Sequence, residues 1–222
     1  MLNIDIHTYN SRDRNRFILS KGHACLALYV ILRDLDILSD DRLVRYSRDG
    51  GLGGQLDISI PGVDWNTGSL GHSLGVCCGM ALASKLSEQD YFVYTIVGDA
   101  EFYEGSIWEG INFAAEHSLN NLVCIIDRNR LSVTEVLGDD TFYSTLPAIL
   151  ENLGWDAHEI NGHDHKEILS TLHGAKKSTK PTMIIANTIK GKGVSFMENK
   201  SEWHCSTITE KQIKEAQAEL NV

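Results

Sequence analysis

Two residues with hard oxygen donors stand where a phosphate-bearing ligand can be held. Asp99 follows an apolar, β-branched run from Phe92 to Val97 that stops at Gly98, and Asn129 follows a second such run from Leu122 to Ile126. Between them, apolar residues recur at Ile107, Ile111, Ala114 and Ala115, the spacing of a helix. A strand, a crossover helix and a second strand almost always form parallel strands with a right-handed connection, so both carboxyl ends open on one edge of a sheet. Asp99 and Asn129 then face one crevice. Their oxygens suit Mg²⁺ or Ca²⁺ better than a soft metal, and Mg²⁺ commonly completes its shell with the oxygens of a bound phosphate. The amides that open the helix after Gly98 offer a place for that phosphate. Taken alone, Asp99 reads equally well as a structural aspartate at a strand end, and Asn129 as a turn residue.

The rest of the chain must position these residues. Residues 1–19 form a polar lead into Arg16-Phe17-Ile18-Leu19, and Ser20-Lys21-Gly22-His23-Ala24 then opens a helix with apolar positions at Leu26, Leu28, Tyr29 and Leu32. From Asp49 to Thr67, six Gly and Pro residues (Gly50, Gly51, Gly53, Gly54, Pro61 and Gly62) predict an irregular loop. Thr67-Gly68-Ser69-Leu70-Gly71-His72 opens a helix of small and apolar residues through Met80, Ala81 and Leu82, which allows close approach of a ligand or a neighbouring helix. Trp155 to Ile160 reads as a strand, Lys166 to Leu172 as a helix and Thr182 to Asn187 as a strand. His163 and Asp164 have the types of a metal pair, but a turn at Asn161-Gly162 followed by a helix cap explains them. The glycine-rich Thr188-Ile189-Lys190-Gly191-Lys192-Gly193 lacks P-loop spacing. An amphipathic helix from Thr209 to Leu220 follows, with Thr209 as its cap and Glu210 in its first turn.

Composition narrows the class. At 222 residues and 42% hydrophobic, the chain can bury a substantial core, and strand and helix patterns alternate without a long linker, which predicts a single domain over 1–222. The formal net charge of -10, with no Lys/Arg-rich run, argues against nucleic-acid or anionic-membrane partners. The five cysteines (Cys25, Cys77, Cys78, Cys124, Cys205) form no C-x-x-C pair and mostly lie in apolar runs, so they read as core residues in a reducing compartment. The N-terminal lead has no apolar segment of a signal peptide, and no run reaches membrane-spanning length; a cytoplasmic protein is expected.

At the central unit the chain resembles the thiamine diphosphate enzymes, and most closely the transketolase family. Gly98-Asp99-Ala100 followed by Asn129 matches the family's Gly-Asp-Gly and later Asn, while Glu104-Gly105-Ser106-Ile107-Trp108-Glu109 and Asn121-Leu122 match the form in which transketolase is split into two polypeptides. Asp13-Arg14, Arg16 to His23, Gly68-Ser69-Leu70-Gly71, Ser195 to Asn199 and Glu202-Trp203-His204 continue the likeness in family order. The resemblance implies a doubly wound α/β domain of the thiamine-diphosphate-binding fold, specifically its diphosphate-binding half. It implies that Asp99, the Asn129 side chain and the Leu131 carbonyl hold Mg²⁺, or Ca²⁺ or Mn²⁺ in its place, on the diphosphate, beside Gly98, Ala100 and Glu101. It places Gly68, Ser69 and Leu70 against the aminopyrimidine. His23 and His204 become catalytic residues near the diphosphate and the substrate channel, as hydrogen-bond donors or proton carriers.

The activity implied is transfer of a two-carbon ketol unit from a ketose to an aldose, each a sugar or sugar phosphate, with the cofactor as electron sink. The activating glutamate belongs to the family's other half, so a C-terminal, pyrimidine-binding partner subunit is implied, in a heterotetramer to which Glu104 contributes an interface carboxylate. Three departures stand against the family pattern. Its earlier Ser-Gly-His-x-Gly sequence does not precede Asp13, Ala100 replaces the second Gly of Gly-Asp-Gly, and Gly54-Gln55 stands where the family has Gly-His-Pro. If position 100 needs φ > 0, its methyl costs on the order of 1 kcal/mol. The role of His72 is open. These departures keep two alternatives in view: a catalytically impaired or regulatory transketolase-like subunit, and another thiamine diphosphate enzyme making an unusual sugar.

Overall fold

A computed structural model describes residues 4–132 and 141–221; residues 1–3 of the N-terminal lead and the first and last positions of the domain expected over 1–222 lie outside the described residues. Five strands, β1 (Arg16–Leu19), β2 (Val93–Gly98), β3 (Leu122–Arg128), β4 (Asp156–Asn161) and β5 (Thr182–Asn187), form one sheet in the order β1-β2-β3-β5-β4. Every pair is parallel, with Gly98 opposite Asp127 and Arg128 opposite Asn187, so all carboxyl ends share one edge. The helices are α1 (Cys25–Asp34), α2 (Asp40–Val44), α3 (His72–Leu86), α4 (Gly105–Glu116), α5 (Thr141–Asn152), α6 (His165–Ala175) and α7 (Glu210–Leu220).

Alternation along the strands divides the core between the two faces of the sheet. Val93, Val97, Leu122, Cys124, Ile126, Met183 and Ile185 face one way and pack on α3, α4 and α5 through Leu74, Cys77, Ala81, Ile107, Ile111, Leu146 and Leu150. Tyr94, Val123, Ile184 and Ala186 face the other way, toward α6. On that side α1 packs through Cys25, Leu28, Tyr29 and Leu32 on Leu19 and on Leu52, Leu56, Ile60 and Val63 of the glycine-rich loop. Helices on both faces of a parallel sheet make this the doubly wound fold. Among the described residues no helix is long and apolar enough to cross a membrane.

The strands and helices read from periodicity are present within a few residues of the expected bounds. β1 takes the place of what reads in sequence only as the end of a polar lead, and α2 and α5 have no counterpart in the periodicity. Leu26, counted among apolar positions, turns outward at 45% exposure. Cys25, Cys77, Cys78 and Cys124 are buried as expected, whereas Cys205 is exposed; all are free thiols. The long loop is irregular and is anchored by Asp64, whose carboxylate accepts from the Arg14 guanidinium at 2.5 and 3.0 Å and from the Phe17 N–H at 2.9 Å. Asp164 caps α6 through the Lys166 and Glu167 N–H groups, and Thr209 and Gln212 form a capping box on α7.

Candidate functional site

The segments that follow β1, β2, β3 and β5 enclose a cavity of about 430 Å³ at the carboxyl edge of the sheet, with Gly68 and Leu70 on one wall and His204 on another. Asp99, Asn129 and Leu131 all line it. Asp99 is 2% exposed. Its Oδ1 accepts from the Ala100 N–H at 2.8 Å and its Oδ2 from the Arg130 N–H at 2.5 Å, which ties the end of β2 to the turn after β3. The Tyr143 hydroxyl donates to the Asp99 carbonyl at 2.7 Å. Asn129 is aimed by two local bonds: its Oδ1 accepts from the Leu131 N–H at 3.1 Å and its Nδ2 donates to Asp127 at 3.4 Å.

Charge is concentrated here. Burial pushes the Asp99 carboxyl above the usual carboxylate range, against the opposing pull of the Arg130 and Ala100 N–H groups. Burial also raises Asp127, but the ammonium of Lys21, with the Thr188 hydroxyl and Asn129, outweighs it and holds the carboxyl low. Lys190 Nζ lies 3.3 Å from His204 Nδ1, and the His23 and His204 rings are 4.8 Å apart. Burial, then His204, Lys21 and Lys190, depress His23 to about 4; burial and the two lysines depress His204. Both rings are therefore neutral near pH 7, able to donate from one nitrogen and accept at the other.

Several sequence expectations change. The helix expected directly after Gly98 is a 3₁₀ turn, Ala100–Tyr103, with α4 beginning only at Gly105. Its first amide, Ala100 N–H, is already taken by Asp99, so the amides opening this turn are not all available to a phosphate. Ala100 has no positive φ, so its methyl carries no strain. Ser69 is exposed and does not line the cavity, whereas its neighbours Gly68 and Leu70 do. Gln55 lies against Gly22 and against Gly68, which lines the cavity. Gly22 has no room for a side chain: a Cβ would sit 2.2 Å from Thr67 Oγ1. His72 begins α3 and is exposed.

Lys21, Asp127 and Lys190 are site residues that sequence reasoning misses. Lys21 stands in view two positions before His23, but Lys190 lies in a turn without P-loop spacing, and only the β3–β5 pairing brings it to this edge. Among the described residues no three His, Cys, Asp or Glu side chains cluster for a metal. A cation here would be held by one carboxylate with amide and carbonyl oxygens, leaving positions for phosphate oxygens, as suits Mg²⁺. The buried Asp99 carboxyl gains from such a cation, and Lys21 and Lys190 complement a diphosphate; the residues present fit a metal-bound thiamine diphosphate.

Comparison with known proteins agrees. The family described as "Transketolase, thiamine diphosphate binding domain" matches residues 1–222. The chain is 39% identical over 210 residues to an apulose-4-phosphate transketolase subunit of Phocaeicola vulgatus, covering 94% of this chain and 75% of that protein. It is 37% identical over 223 residues to a 6-deoxy-6-sulfo-D-fructose transketolase subunit of Clostridium sp. (strain MSTE9), covering 99% of this chain and 81% of that one. Its structure is similar to that of transketolase from Campylobacter jejuni, with a TM-score of 0.90 and 30% identity over 99% of this chain, which spans only 36% of that enzyme.

Proposed function

The chain belongs to the transketolase family, as its thiamine diphosphate-binding domain, and from that premise we propose that it is the diphosphate-binding subunit of a two-subunit transketolase. With a C-terminal, pyrimidine-binding partner it transfers a two-carbon ketol unit from a ketose to an aldose. Bound thiamine diphosphate supplies the electron sink for breaking a carbon–carbon bond of the donor. The chain's own residues hold and orient. Asp99, the Asn129 side chain and the Leu131 carbonyl bind Mg²⁺, for which Ca²⁺ or Mn²⁺ can substitute, and Gly98 and Ala100 line the diphosphate end. Lys21 and Lys190 add positive charge there. Gly68 and Leu70 form the aminopyrimidine side, with Ser69 exposed between them. His23 and His204, held neutral, exchange hydrogen bonds and protons with phosphate and sugar oxygens.

The observation that carries this reading is that Asp99, Asn129, Leu131, His23 and His204, far apart in sequence, line one cavity. Relatives of which the chain covers 75% to 81% are named as separate transketolase subunits, which supports a partner, and the proposed assembly is a cytoplasmic heterotetramer of two such pairs, with residues 1–222 as one domain. Two of those relatives are named for ketoses that carry a phosphate or a sulfonate, and we extend an anionic ketose donor to this chain. One observation favours a second reading, a subunit that binds cofactor with little turnover: Gln55, which cannot carry a proton, lies beside Gly22 and the cavity residue Gly68.

The test is ketol transfer by the chain alone and with its co-expressed partner, thiamine diphosphate and Mg²⁺ supplied to both. Turnover is expected only with the partner. Activity of the isolated chain, after mass spectrometry excludes a co-purifying protein, overturns the shared site. Cofactor binding without turnover across phosphorylated and sulfonated ketoses selects the second reading.

A further inference from the structure

Glu101 is the buried carboxylate that the proposed chemistry leaves unused. It is 1% exposed, and both of its oxygens are occupied. Oε1 accepts from the Ser20 hydroxyl and from the Gly71 N–H at 2.8 Å, and Oε2 accepts from the Gly98 N–H at 3.1 Å. These donors belong to three segments that meet only in the folded chain. Ser20 follows β1 and leads into Lys21 and His23; Gly71 ends the turn of Gly68 and Leu70; Gly98 precedes Asp99. Each segment contributes a wall of the cavity.

We propose that Glu101 is a positioning residue that ties these three walls together, so that cofactor affinity depends on it more than the chemical step does. This rests on the reading of the cavity as a thiamine diphosphate site. The Gly71 turn shows why a tie is needed. Its φ of +85° is a left-handed conformation, and a Cβ there would meet Ser106 Oγ at 2.6 Å, so glycine sets the path but supplies no side chain to fix it. The fixing comes from outside, through Glu101 on the Gly71 N–H and Ser106 on the Gly71 carbonyl at 3.0 Å. With both oxygens turned to these donors, the carboxylate is not offered to a cation or to the aminopyrimidine. Without it, the buried Gly71 amide and the half-buried Gly98 amide lose their acceptor, and the three walls are free to move independently.

The experiment uses the chain purified with its partner subunit, with thiamine diphosphate and Mg²⁺ as the titrant in calorimetry. Glu101→Gln preserves size but has one acceptor oxygen, so its amide N–H₂ must oppose either Gly98 or the Ser20–Gly71 pair. The expected result is a Kd raised at least ~10-fold, with kcat at saturating cofactor reduced by less than ~3-fold. Ser20→Ala should weaken binding in the same direction by about 3-fold, and by less than that in the Glu101→Gln background, because the two act through one contact. Amide hydrogen exchange without cofactor should quicken at Gly71 and Gly98 in Glu101→Gln. A folded Glu101→Gln variant with wild-type Kd overturns the proposal, as does a kcat loss as large as the affinity loss. If that variant does not fold, Ser20→Ala decides, and an unaltered Kd and unaltered exchange at Gly71 overturn the tie. If the wild-type complex binds no cofactor, the functional reading fails, while the exchange comparison still decides whether the tie exists.

Discussion

The carboxyl edge of the sheet has two halves built from the same residue types, and they differ in how those residues are bonded. Over β4 and β5, Asp164 caps α6, Asn161 Oδ1 accepts from the His163 N–H, and His163 Nε2 accepts from the Ile189 N–H at 2.7 Å. Most of these partners lie two or three positions away, and the side chains are exposed. Over β2 and β3 the polar groups are buried or half-buried and reach across the chain: Asp99 to Arg130, Lys21 to Asp127, Glu101 to Ser20. The first half is satisfied mostly by neighbours close in sequence. The second holds a carboxyl pushed up by burial and a histidine pushed down to about 4. A site is distinguished from a scaffold here by charge brought together against its own preference, which a ligand can relieve.

Breaking the buried half should have the largest effect. Asp99→Ala is expected to abolish Mg²⁺-dependent binding of thiamine diphosphate by the complex, while the protein still folds, because a charged group at a strand end is removed rather than a core side chain. Asn129→Ala should weaken binding less, since an amide oxygen contributes no net charge. Calorimetry checks both, and undiminished affinity in Asp99→Ala would remove the metal from this place. Next in size, His23→Ala and His204→Ala should each lower turnover by at least ~10²-fold with cofactor still bound. Steady-state assays at saturating cofactor measure it; wild-type rates would make them rim histidines only.

The two halves also show what a sequence reveals. The strand–helix–strand around Asp99 is legible because apolar runs and a helical period flank it, and the Asp164 and Thr209 caps because their bonds lie within three residues. The partners of Asp127, Glu101 and His204 are not legible, because Lys21, Ser20 and Lys190 come from segments that adjoin only through the pairing of β1 with β2 and β3 with β5. β1 itself, four residues long, is too short to show a period. That Ser69 is exposed while Gly68 and Leu70 line the cavity has a related reason: a motif names a turn, but which side chain of the turn faces inward depends on the φ of Gly68 and Gly71, both positive.

The scaffold half predicts a smaller and different effect. Asp164→Ala removes the acceptor for two orphan amides of α6 and should cost about 1 kcal/mol of stability. Cofactor affinity should stay at the wild-type value. Chemical denaturation together with calorimetry separates the two, and a change in affinity would show that the halves are not independent.

The smallest effect sharpens the comparison through pH. His23 faces His204, Lys21 and Lys190, and burial with these neighbours lowers its folded pKa to about 4 from an ordinary 6.5. The unfolded chain therefore binds this proton more readily than the folded one between those values. Stability from His23 is fully present above pH 6.5 and is lost as pH falls toward 4. The ring is part exposed, so solvent screening keeps the contribution below about 1 kcal/mol. Denaturation of the cofactor-free chain from about pH 7 to about pH 4.5 should show wild type losing more stability than His23→Ala, the two curves converging above about pH 6.5. A bound diphosphate should shrink the gap, because its negative charge favours the protonated ring and offsets the lysines. Parallel curves for wild type and His23→Ala would mean that the ring is charged as easily in the fold as out of it, and the contrast between a strained and a satisfied half would lose its histidine.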